Sequence, residues 1–117
     1  MTEYIVLLPD DEAKWEAATE AHRQSVYQKH GEFAKLLEER GLRVTGGSEL
    51  AHSREGKTLR TSADGATSVT EGPYSESVEQ LTGFYLIEAD NIDDVVDACR
   101  LLAEAEGRIE VRACKGM

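Results

Sequence analysis

Cysteine is nearly absent from this chain, with only Cys99 and Cys114 in 117 residues. Two isolated thiols form neither a disulfide framework nor a zinc site, and Cys99 falls in an apolar helical pattern where a buried thiol is the ordinary reading. Basic residues are also scarce. Thirteen Lys and Arg stand against 23 Asp and Glu, a formal net charge of −10, and no polybasic run occurs. Nucleic acid and anionic membrane surfaces are both bound through clustered Lys and Arg, so neither is an expected partner. The acidic excess serves solubility in the first instance, with an acidic pocket for a cationic ligand as the alternative. No apolar stretch approaches the length of a membrane span, and the N-terminus lacks a basic region followed by an apolar core and a small-residue cleavage site. A cytoplasmic protein is expected. No glycine-rich phosphate loop, serine elbow or Cys-x-x-Cys pair is present. The three His residues lack metal-ligand spacing, so neither metal nor cofactor is expected.

What is there is enough for one domain spanning residues 1–117. A chain of this length buries roughly two-thirds of its unfolded surface without staples. Tyr4 to Leu8 is an apolar run ended by Pro9-Asp10, which reads as a strand buried on both faces. A helix is predicted from about Asp11 to Arg40, capped by Asp10 or Asp11 and closed by Arg40-Gly41, with Gly31 as a weak point. On it, Trp15, His22, Val26, His30, Phe33 and Leu37 fall within about 80° of one another. Leu42–Thr45 reads as a strand interrupted by Gly46-Gly47. Lys57–Ser62 and Ala66–Thr70 flank Asp64-Gly65, a hairpin signal because the tight turn needs positive φ.

Glu71-Gly72-Pro73-Tyr74 follows, a stiff turn bearing a carboxylate, since Pro73 fixes its own φ and biases Gly72 towards extended or turn geometry. A turn of helix is predicted over Ser75–Gln80, then a strand over Phe84–Glu88. Asp90-Asn91 caps a second helix over about Ile92–Glu104, with Ile92, Val95, Val96, Cys99 and Leu102 inward. Ile109, Val111 and Ala113 alternate with polar residues as a last strand. The order β-α-β, hairpin, β-α-β predicts an α+β domain of ferredoxin-like, split βαβ type, with both helices on one face of an antiparallel sheet. Strands apolar at successive positions want cover on the second face as well. No third helix is available, so a homodimer is predicted.

Glu71-Gly72-Pro73-Tyr74 resembles the Asp-Gly-Pro-Phe signature of the DGPF subgroup of the YCII-related family. The similarity extends to Tyr4–Leu8, the Phe33…Arg40-Gly41 helix end, Gly46-Gly47…Glu49-Leu50, Glu76, Glu79-Gln80-Leu81, Gly83-Phe84-Tyr85 and Ile109–Arg112. It implies a dimeric α/β barrel of ferredoxin-like subunits, and a His–Asp pair in a cleft has been proposed as the active site of such proteins. This chain departs from the pattern with Glu71 for Asp, Tyr74 for Phe, Val78 where many members carry Lys, and Ala113 where many carry Pro.

Two residues are candidates for acid/base work. His30 points inward or into an interface beside Val26 and Phe33, and an imidazole near a carboxylate serves as acid or base near neutrality. A hydrogen-bonded core histidine is the alternative. Glu71 is expected either to orient His30 or to accept N–H bonds from its own turn. Gly72, Pro73, Tyr74, Glu76, Tyr85 and Arg112 are candidate ligand-binding residues, with Arg112 expected to pair with an acidic residue of the motif. His22 reads as structural and His52 as a surface residue. The function expected is binding of a small organic ligand, with cofactor-free elimination or isomerisation by His30 and Glu71. A non-catalytic regulatory or ligand-sensing module acting through a partner protein stands beside it.

Overall fold

The computed structural model describes residues 1–116. Its centre is β1 (Thr2–Asp11), which pairs antiparallel with β5 (Glu79–Ala89) on one side and β6 (Glu110–Ala113) on the other, while β2 (Arg43–Glu49) extends the sheet beyond β5. A separate hairpin joins β3 (Lys57–Thr61) and β4 (Thr67–Glu71). Three helices complete the described α+β fold: α1 (Glu12–Ala17), α2 (Glu20–Glu39) and α3 (Ile92–Glu106).

Period-two alternation on β1 turns Tyr4, Val6 and Leu8 to one face, where they meet Phe33 and Leu37 of α2 and Val95, Ala98, Cys99 and Leu102 of α3. Ile87 and Ala89 of β5 join the same core. Phe33, Leu37, Val6, Ile87, Val95 and Leu102 are sealed from solvent, and each such burial contributes about 1.5–3 kcal/mol. The opposite sheet face carries Ile5, Leu7, Phe84 and Leu86, half-buried and paired across the strands as Ile5–Leu86 and Leu7–Phe84. No helix covers it. The hairpin stands away from this body, with β4 exposed along its whole length. The extents of 52 × 40 × 17 Å and radius of gyration of 16.4 Å reflect that projection, since a compact chain of this size has about 13 Å.

Four local expectations need correction. The long first helix is two, broken at Ala18-Thr19 instead of at Gly31. Thr19 caps α2 by accepting the His22 N–H at 3.1 Å, and Arg23 reaches back to the Trp15 carbonyl at 3.0 Å and the Glu16 carbonyl at 2.7 Å. A guanidinium thereby satisfies the open carbonyls at the end of α1. Second, β2 does not stop at Gly46-Gly47 but runs through it, with a register shift between Val44 and Gly46. Gly47 has φ +146°, and a Cβ there would lie 2.6 Å from the Phe84 carbonyl oxygen. Third, Ser75–Gln80 contains no helical turn. The Gln80 side chain donates to the Ser75 and Ser77 carbonyls while its backbone already belongs to β5. Fourth, α3 buries Ala98 in place of Ile92 and Val96, which are exposed.

Candidate functional site

The helix face of the sheet is not fully filled. Between α1, the start of α2, the end of α3 and the loop after β2 lies a cleft of about 680 Å³, a size that accepts a small organic molecule. Leu8 and Val26, both almost wholly buried, contribute to its apolar lining, and Trp15 and Tyr27 stand edge to face with ring centroids 5.7 Å apart.

His30 lines this cleft from the middle of α2. Its Nδ1 is 2.6 Å from the Tyr85 hydroxyl and its Nε2 is 2.6 Å from Glu106 Oε1. A carboxylate accepts and does not donate, so the Glu106 contact places a proton on Nε2 and leaves the Nδ1 lone pair to accept the Tyr85 O–H. The Glu106 side chain is only 8% exposed and that of His30 21%. Burial, then the nearby Glu106 charge, pushes the Tyr85 phenol up to about 12, so it stays protonated at neutral pH. Burial likewise lifts the Cys99 thiol to about 11, an inert core group and not a nucleophile.

Asp10, at the far end of β1, also lines the cleft. Its Oδ1 accepts the Asp11 N–H at 2.8 Å, and no other partner holds it among the described residues. Desolvation raises its pKa, and the Glu106 charge adds to that shift. The mouth is tied by polar contacts. Glu12 accepts from the Ser53 N–H at 2.7 Å and Ser53 hydroxyl at 2.5 Å. Both Glu16 oxygens accept from Arg54 at 3.1 Å, with His52 Nε2 3.0 Å away. His52 is therefore half-buried in a charged cluster, which corrects its reading as a surface residue. His22 lines the cleft and is exposed.

Of the catalytic and ligand-binding candidates from sequence, His30 and Tyr85 come together here and the others do not. Glu71 ends β4 in solvent, 3.8 Å from Lys57. It does not orient His30, because Glu106 occupies that place. Gly72 is buried at φ +96°, donating its N–H to the Gly56 carbonyl at 2.8 Å and accepting from Thr58 Oγ1 at 2.8 Å. Pro73 is half-buried beside it, while Tyr74 is 82% exposed and Glu76 is exposed. The motif therefore fastens the root of the hairpin within this chain and does not wall the cleft. Arg112 donates from Nε to Glu110 at 2.8 Å instead of pairing with the motif.

Glu106 and Asp10 were missed, although each carried a signal. Glu106 continues the inward α3 series Val95, Ala98/Cys99, Leu102, and Asp10 continues the inward β1 series Tyr4, Val6, Leu8. A carboxylate at the end of a buried stripe is the mark. Among the described residues no group of three or more His, Cys, Asp or Glu is arranged to hold a metal ion, and no helix is long and apolar enough to cross a membrane.

The family model of the YCII-related domain matches residues 2–116. An uncharacterized protein of Rhizobium meliloti (strain 1021) is 34% identical over 112 residues, covering 93% of this chain and 89% of that relative.

Proposed function

The chain belongs to the YCII-related family, and we propose that its cleft binds a small organic ligand and performs cofactor-free acid/base chemistry of the elimination or isomerisation type. One observation carries this reading: the Tyr85–His30–Glu106 chain, with both links at 2.6 Å, on the wall of the cleft. The Tyr85 oxygen takes a proton from an activated carbon of the ligand while its own proton passes to His30 Nδ1. The resulting imidazolium is held by Glu106, and the reverse transfer returns a proton to the ligand. Glu106 fills the orienting role expected of Glu71.

The test is proton exchange into a panel of carbonyl-bearing carbon acids in heavy water. The wild-type protein exchanges at least one of them, and Tyr85→Phe and His30→Gln each reduce the rate by about 100-fold or more. Exchange unchanged in both variants, with folded spectra, removes the catalytic reading.

The open sheet face supports a second element of the proposal, a two-fold homodimer. Ile5, Leu7, Phe84 and Leu86 form a contiguous apolar patch that a second sheet would cover. The strand order β2-β5-β1-β6 fits the ferredoxin-like split βαβ arrangement, and two such sheets face to face give the dimeric α/β barrel. Within the family, Glu71–Tyr74 argues for the DGPF subgroup. Sedimentation at micromolar concentration should give twice the chain mass, and Leu7→Glu should return it to one. A wild-type monomer rejects the dimer. Exposure of the paired Leu59 and Val69 on the hairpin favours the alternative of a non-catalytic sensing module acting through a partner protein, which the exchange assay separates from the first.

A further inference from the structure

The charge of the cleft wall narrows its ligand class. Asp10, Glu12, Glu16, Glu49 and Glu106 line it, against one lysine and one arginine. Most of the charged and hydroxyl donors are already engaged by these carboxylates, which leaves the His22 ring and the Trp15 indole N–H as neutral donors of the lining. Arg54 and His52 serve Glu16, Ser53 serves Glu12, the Tyr27 hydroxyl donates to Glu49 at 3.2 Å, and His30 serves Glu106. Lys14 is the remaining cation, and it is exposed. An anionic ligand would therefore meet acceptors. Asp10 is the reverse case, a carboxylate inside the cleft with one oxygen lacking a side-chain or backbone donor among the described residues. A group entering beside it must donate hydrogen bonds, and a positive charge there would offset the mutual repulsion of Asp10 and Glu106.

We propose that the ligand is a small protonated amine with an apolar body about one ring in size, its ammonium group held by Asp10 and its body against Trp15, Tyr27, Leu8 and Val26. The body matches an apolar part of the lining. The ammonium supplies a donor to the Asp10 oxygen and a positive charge to a wall in excess of carboxylates. This inference rests on the cleft being a ligand site, as proposed above, and adds the charge and chemistry of what enters.

The experiment compares benzylamine, benzyl alcohol and benzoate by amide chemical-shift titration at about pH 8, where ordinary imidazoles are neutral and the amine is protonated. Benzylamine should perturb the amides of Asp10 and Trp15 saturably and bind at least tenfold more tightly than either analogue. Asp10→Asn should abolish that preference while the remaining spectrum stays native. Tighter or equal binding of benzyl alcohol or benzoate in the cleft overturns the amine assignment and leaves the cleft reading standing. Benzylamine affinity unchanged in Asp10→Asn overturns it too. Binding of none of the three, with butylamine and cyclohexanol also inert, overturns both.

Discussion

His30 Nε2 and Glu106 Oε1 stand 2.6 Å apart although 76 residues separate them in the chain. The contact joins the middle of α2 to the last turn of α3, so one carboxylate both ties the two core helices together and sets the tautomer of the imidazole. Its charge also reaches Tyr85, where it is the second cause, after burial, of a phenol pushed up to about 12. Glu106→Gln keeps the shape and removes the charge. The Tyr85 pKa should then fall from about 12 towards the ordinary value without reaching it, because the desolvation remains. Alkaline titration of phenol absorbance, with Tyr85→Phe to assign the step, measures this. An unmoved Tyr85 step would show that the charge is screened from the phenol.

The same phenol makes stability depend on pH in one direction. Its ordinary pKa is 10.0 and its folded value about 12, so the folded state keeps a proton that the unfolded chain releases. The contribution is fully present below pH 10.0 and is lost as pH rises through about 12. Because Tyr85 is only half-buried, solvent screening limits the effect to no more than about 2 kcal/mol. Urea midpoints measured across this range should fall faster for the wild type than for Tyr85→Phe. Parallel curves would place the alkaline loss elsewhere.

Most of the fold was legible because period-two and helical patterns carry burial directly. Tyr4–Leu8 and Phe84–Glu88 read as strands and lie as neighbours in the sheet, and Asp64-Gly65 marked the hairpin turn. The break between α1 and α2 was hidden, since a Glu-rich, Ala-rich stretch suits a continuous helix. What ends α1 is a donor five residues beyond the break in the next helix's first turns, Arg23 with its guanidinium on the Trp15 and Glu16 carbonyls. The site was half legible. His30 lay on the right face, but its partners come from β5 and the end of α3, and no local pattern announces a pairing across that distance. Glu71 drew notice through its rigid turn, whose rigidity fixes the hairpin root.

Two glycines should respond in opposite senses to the same methyl group. Gly31 sits inside α2 with nothing within 4 Å of a built Cβ, so Gly31→Ala should stabilise by about 0.5–1 kcal/mol through helix propensity. Gly47 combines φ +146° with the Phe84 carbonyl at 2.6 Å. Gly47→Ala should cost about 1–3 kcal/mol and loosen β2 from β5. Chemical denaturation gives both values, and amide exchange on β2 localises the second. A neutral Gly47→Ala would mean that the β2–β5 bulge relaxes freely.

The Arg23 side chain offers a test of how α1 is held. No residue of α1 is buried, so its position depends on the Asp11 cap, the Ser53, His52 and Arg54 contacts, and the guanidinium at its C-terminus. Arg23 also lies 5.7 Å from the Trp15 ring centroid, within reach of a cation–π contact. Arg23→Met keeps most of the side-chain bulk and removes the donors, leaving the Glu16 carbonyl to water and the Trp15 carbonyl with the Ala18 N–H alone. The expected cost is about 1–2 kcal/mol, and because it falls on α1 it should appear as local opening before global unfolding. Trp15 is the sole tryptophan, so its fluorescence reports the change directly, with greater quencher access in the variant at unchanged α2 helicity. Quenching identical to the wild type would show that the Asp11 cap and the loop after β2 hold α1 over the cleft without Arg23.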